Sequence, residues 1–91
     1  TTIGIIVTNA RFGKSELNKI ASMAHNGYAR AIRPVHTMMD GDSIYAVSTG
    51  GFEADINLVG SLAAYAMGKA IGRGCQAAES LAGVKAVRDL Q

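Results

Sequence analysis

The sequence has no tryptophan, one proline, one cysteine and only 5% aromatic residues, and each scarcity removes a class of protein. The single cysteine, Cys75, allows no internal disulfide and no cysteine-based zinc site, which fits a reducing compartment, read here as the cytoplasm. Net charge is also scarce. Nine bases against seven acids leave +2, too little for the basic footprint of a nucleic-acid binder. The longest uncharged run that suggests a membrane, Ile56 to Gly68, spans 13 residues before Lys69, whereas a membrane span needs about 20. The chain opens on Thr1-Thr2-Ile3 with no initiator Met, basic segment or small-residue cleavage site, so no signal peptide is expected. What is plentiful is apolar surface: 48% hydrophobic and 18% charged residues over 91 positions describe one folding domain rather than a disordered chain.

Thr2 to Thr8 (TIGIIVT) is β-branched and almost continuously apolar, the pattern of a strand covered on both faces. Asn9 to Gly13 reads as a turn and Ser15 as the cap of a helix whose apolar face is Leu17, Ile20, Ala21, Ala24, Tyr28, Ala31 and Ile32. That phase puts His25 on the exposed side. Arg30, Arg33 and Pro34 end the helix near Arg33. A second strand, Ser43 to Thr49, follows an aperiodic segment, then the loop Gly50 to Glu53, and Asp55 caps a second helix. Its stripe is Leu58, Val59, Leu62, Ala63, Ala66, Met67, Ala70 and Ile71. A separate ridge of Gly60, Ala64, Gly68 and Gly72, spaced by four, predicts tight packing against another helix, because each interior Gly otherwise costs roughly 1 kcal/mol. This helix is expected to run through Cys75 toward Leu81, with Gly83 as a stop. Two strands that both read as central form only a marginal sheet, so other strands should come from a second copy or another polypeptide.

Three residues are candidates for chemistry. An N-terminal Thr1 carries a hydroxyl nucleophile and an α-amine whose ordinary pKa of about 7.7–8.0 suits a general base; the alternative is a Thr left first by removal of a Met or a tag. Asp40 and Asp42 flank Gly41 on a tight turn, where two carboxylates can hold an ammonium, position a hydroxyl or share a proton. Turn formation alone would equally explain Asp and Gly there. With Glu53 and Asp55 they are expected to form an acidic patch. His36 with these acids matches no established metal-ligand spacing. Ser48-Thr49-Gly50-Gly51 lacks the Lys of a phosphate loop. Cys75 reads as a structural thiol and Met38-Met39 as packing.

The ordered set Thr1 to Ala10 (TTIGIIVTNA), Lys14 to Ala24 (KSELNKIASMA), Gly41 to Gly50 (GDSIYAVSTG) and Asn57 to Ala64 (NLVGSLAA) resembles the small chain of the self-cleaving N-terminal-nucleophile hydrolases typified by L-aminopeptidase D-Ala-esterase/amidase. The resemblance extends from residue 1 to about residue 80. The Thr start and the segment Ala31 to Asp42 (AIRPVHTMMDGD) look most like the branch that cuts linear aminohexanoate (nylon) oligomers internally. The resemblance implies an α/β chain forming half of a layered αββα sandwich, two buried strands and two long helices, completed by a larger chain from the same precursor. Such heterodimers assemble further, commonly as tetramers of heterodimers. It implies Thr1 as the nucleophile of an acyl-enzyme mechanism, with its own amine or a nearby group taking the proton. Asp42 and Asp40 would lie beside it and assist; Gly41-Asp42 occurs more widely in the family than Asp40 does. Lysine and asparagine groups of the site would sit on the larger chain, the substrate would be an oligoamide, and no metal or organic cofactor would be needed. An aminopeptidase releasing N-terminal β- or D-amino acids, and a non-catalytic self-assembling α/β module, are the alternatives. The tail from Gly83 is shorter than in several aminopeptidase members.

Overall fold

A computed structural model describes residues 1–90. Strand β1 (Ile3–Ala10), helix α1 (Lys14–Ala31), strand β2 (Ser43–Phe52) and helix α2 (Ile56–Ala77) follow in that order, with a short 3-10 turn at Val87–Asp89. The two strands pair in parallel, with Ile3 beside Ser43 and Thr8 beside Ser48. A parallel pair requires a crossover, and α1 supplies it. Both strands run further than the apolar pattern indicates. At the far end the register shifts, so that Ala10 meets Phe52, and Gly50 is needed there: a Cβ would lie 2.4 Å from the Asn9 carbonyl oxygen.

Helix α1 begins one residue before the expected Ser15 cap. Gly13 takes the cap position in extended conformation, and its N–H donates to Glu16 Oε1 at 3.0 Å. Asp55 caps α2 as expected, accepting from the Leu58 N–H at 3.1 Å. Helix α2 stops at Ala77, short of Leu81. Ala78 is extended, and the Arg88 guanidinium, folded back on the tail, donates to the Ala77 carbonyl at 2.8 Å. The tail turns at Ala82 and Gly83, both at positive φ, where Leu81 and Val84 bridge.

The core is Ile20, Ala24 and Ala63, with Ile6, Phe12, Leu17, Ile44, Ala46, Ile56 and Val59 packed around it. The small-residue ridge of α2 packs on α1. A Cβ on Gly27 would meet the Ala64 carbonyl oxygen at 2.4 Å and the Gly68 nitrogen at 3.0 Å, whereas one on Gly60 would meet only Met23. Gly72 lies beyond the contact, with nothing near it. Gly27→Ala is therefore expected to lower stability of the full-length protein by about 1–3 kcal/mol through forced separation of the helices. Gly60→Ala should cost less, because the Met23 thioether can swing aside and Ala favours the helix. Urea denaturation compares them, and a Gly27→Ala protein as stable as Gly60→Ala would contradict the close approach.

Within this chain the strands and the α2 stripe are covered on one side only. Gly4 and Ile6 face the helices, but Ile3, Ile5 and Val7 alternate with them onto an open face beside Tyr45 and Val47. Leu58, Leu62, Ala66 and Ala70 are likewise exposed, lining with Met67, Ile71 and the length of β1 an open groove of about 820 Å³. The second face of the strands stays open because α1 and α2 pack against each other on the same side of the sheet. The radius of gyration, 15.1 Å, exceeds the roughly 12 Å of a compact chain this long. This is an α/β layer consistent with half of a sandwich. No helix among the described residues is long and apolar enough to cross a membrane.

Candidate active site

Parallel pairing brings the start of β1 and the loop before β2 to the same end of the sheet. The ladder extends past Ile3: the Ser43 N–H donates to the Thr2 carbonyl at 2.9 Å. One residue earlier Asp42 takes over, its Oδ1 accepting the Thr2 N–H at 2.7 Å and its Oδ2 the His36 N–H at 2.9 Å. The Asp42 side chain is only 2% exposed. A carboxylate whose side chain is buried and that accepts N–H groups from two separate segments ties them together through two charge-assisted hydrogen bonds. Thr1 extends from this anchored strand end. Gly41 passes beside it so closely that a Cβ there would stand 3.5 Å from Thr1 Oγ1.

Asp40 is held differently. Its Oδ2 accepts both the N–H and the hydroxyl of Thr37, each at 2.8 Å, and its own N–H donates to the Thr37 carbonyl at 3.0 Å, closing a turn. The Thr37 N–H, then the Thr37 hydroxyl, hold the Asp40 carboxyl below the ordinary carboxylate pKa, and the positive charges of the Thr1 amino group and His36 lower it further. Asp40 is thus an exposed, ionised carboxylate whose field reaches the Thr1 amine. Tyr28, fully buried in α1, donates from its hydroxyl to the Ser43 carbonyl at 3.0 Å. Burial, with the Asp42 charge, raises its pKa and keeps it a donor.

The structure brings Thr1, Asp40 and Asp42 to one end of the sheet. It does not bring Glu53 and Asp55 there. They follow the opposite end of β2, on the order of 30 Å away at about 3.3 Å per residue. Glu53 pairs with Arg11 and Asp55 caps α2, so the expected acidic patch is divided by the length of the strand. His25 also departs from expectation: it is half-buried, edge-on to Tyr28 with ring centres 5.1 Å apart and 4.9 Å from the His36 ring. Met38 and Met39 are fully exposed at the tip of the Thr37–Asp40 turn, and Cys75 is exposed on α2, so none of the three packs in the core. Reading the sequence missed Thr37, Tyr28 and the ring of His25 as parts of this end. The Thr-x-x-Asp spacing was a usable signal for the first.

The sequence profile described as Peptidase family S58 matches residues 1–88. Among curated proteins, an uncharacterized aminopeptidase of Mycobacterium tuberculosis is 33% identical over 105 residues, covering 99% of this chain and 30% of its own length. One from Mycobacterium leprae is 35% identical over 99 residues, covering 92% and 27%. A 6-aminohexanoate-oligomer endohydrolase of Paenarthrobacter ureafaciens is 51% identical over 49 residues, 54% of this chain and 14% of the relative. The chain therefore spans less than a third of the curated relatives it matches. No solved structure matches.

Proposed function

This chain belongs to peptidase family S58, and from that premise we propose that it is the nucleophile-bearing part of an amide hydrolase acting on linear ω-amino-acid oligomers. The observation that supports this best is the Asp42 anchor, which holds the Thr2 N–H at 2.7 Å and thereby fixes Thr1 beside Asp40 and Gly41. In this reading the Thr1 hydroxyl attacks an amide carbonyl, its proton passing to the Thr1 amine or a neighbouring base. Collapse of the tetrahedral adduct breaks the C–N bond, the leaving amine takes the proton, and a Thr1 ester remains. Water then attacks the ester, releasing the acid and restoring the hydroxyl. Asp40 supplies negative charge near the amine, and Asp42 keeps the strand end in place. In this reading the larger chain supplies donors to the adduct's oxyanion.

The proposal includes a precursor cut before Thr1, whose larger product covers the open face of the sheet and the groove along α2, and further assembly of the heterodimers. Intact mass of the native complex under denaturing conditions tests it. Expected is a chain of 9.4 kDa beginning at Thr1. An equal amount of a second chain of roughly 25–30 kDa should accompany it, the size by which the endohydrolases exceed this one and ordinary for a domain. A complex holding only the small chain would instead support a self-assembling module. The similarity over almost the whole chain to proteins described as aminopeptidases favours a second reading, release of N-terminal residues. Product lengths from an aminohexanoate oligomer separate the two: internal cuts give mixed lengths at first, and aminopeptidase action gives monomers.

A further inference from the structure

We propose that His36 is a positioning residue for the Thr1 site, its imidazole holding the Asp42 carboxylate that in turn holds the first strand; this rests on the hydrolase reading above. A carboxylate offers about four acceptor directions, and Asp42 uses two of them on backbone N–H groups of Thr2 and His36. Among the described residues, the side chain with a positive form that comes within 4 Å of it is the His36 ring, whose Nδ1 lies 3.6 Å from Oδ2. That distance is beyond a good hydrogen bond and within reach of a charge interaction.

The backbone is bent to place the ring there. His36 has φ of 56°, a left-handed conformation that non-glycine residues adopt rarely and that persists where the surroundings hold it. In this conformation one residue presents both its N–H and its ring to the same carboxylate oxygen. The ring is backed on one side by His25, at 4.9 Å between centres, and is otherwise open, 61% exposed. His25 has a buried Nδ1 with no hydrogen-bond partner among the described residues and is itself held edge-on by Tyr28. The groups facing His36 are therefore Asp42 and, at longer range, Asp40 from its own loop, with His25 from α1. Tyr28 and the Thr1 amine lie one step further out. The contacts His36 makes are with Asp42 and His25, so its action on Thr1 is through Asp42.

His36→Asn and His36→Gly test this in the full-length protein. Asn and Gly both tolerate positive φ and keep the backbone N–H, so only the ring is removed. With an aminohexanoate oligomer as substrate, kcat is expected to fall about tenfold in both variants while KM stays within about twofold, the pattern of lost alignment rather than lost binding. Because the ring is open to solvent, added imidazole should restore part of the rate of His36→Gly and leave the wild type unchanged. Wild-type kcat in both variants, or a loss that imidazole does not relieve and that follows thermal stability alone, would overturn the assignment. Thr1→Ala measured alongside separates the two proposals. If it still hydrolyses the oligomer, the nucleophile reading fails. If it is inactive while the His36 variants are fully active, only the role of His36 fails.

Discussion

Full-length protein carrying Thr1→Ala should accumulate uncut and should hydrolyse oligoamides at least about 10⁴-fold more slowly than the wild type, the scale seen when a nucleophile is deleted from an acyl-transfer site. The argument rests on what the substitution leaves in place. Ala keeps the backbone, and the anchoring bond is made by the N–H of Thr2 rather than by any atom of the Thr1 side chain. The strand end should therefore stay where it is; what is lost is the hydroxyl and, because the precursor stays uncut, the free α-amine. Thr1→Ser is the companion: it restores a hydroxyl without the β-branch that stiffens χ1, and should retain activity at a reduced rate. Electrophoresis follows processing, and product formation follows hydrolysis. An Ala variant that is cut and active would remove Thr1 from the mechanism.

The second large effect is expected at Asp42. Asp42→Ala removes the acceptor of two N–H groups, that of the half-buried Thr2 and that of the solvent-facing His36. At about 1–3 kcal/mol for the half-buried Thr2 donor, and little for the His36 N–H that water can reach, the loss of stability should be roughly 1–3 kcal/mol. Release of the strand end should also slow catalysis by about 100-fold or more, since a displacement near 1 Å suffices for that. Asp42→Asn should fall between, because its amide supplies one acceptor oxygen and presents donors to the other N–H. Asp40→Ala is the control. Asp40 closes only its own exposed turn with Thr37, so its removal should disturb activity through lost charge near Thr1, with a much smaller change in stability. Urea denaturation and kcat for the three variants decide the matter. Equal stability of Asp42→Ala and Asp40→Ala would show that Asp42 is not the anchor.

Much of the fold was legible because it is written in short-range pattern. The β-branched run of β1, the Asp55 cap and the four-residue spacing of Gly60, Ala64 and Gly68 each encode a local preference, and the structure contains all three. The errors lie where a distant partner outweighs that preference. Ser15 lost the cap position to Gly13 because Glu16 reaches back to the Gly13 N–H. Helix α2 ends at Ala77, where Arg88, eleven residues on, takes its carbonyl.

The same division governs the candidate site. The sequence by itself determined the kind of elements, their order, the family and a short set of candidates, Thr1, Asp40 and Asp42, because residue type, spacing and motif order are properties of the chain. Only the tertiary structure decided that the two aspartates differ, one a buried anchor for a strand forty residues away and the other an exposed carboxylate held by Thr37. It alone set His25 and His36 together and sent Glu53 and Asp55 to the other end of the sheet. The physical reason is that periodicity states which face of an element is apolar, whereas hydrogen bonding across a parallel pair depends on register. Register depends on which residues of both strands face the helices and on the crossover through α1, so it is a property of the assembled layer.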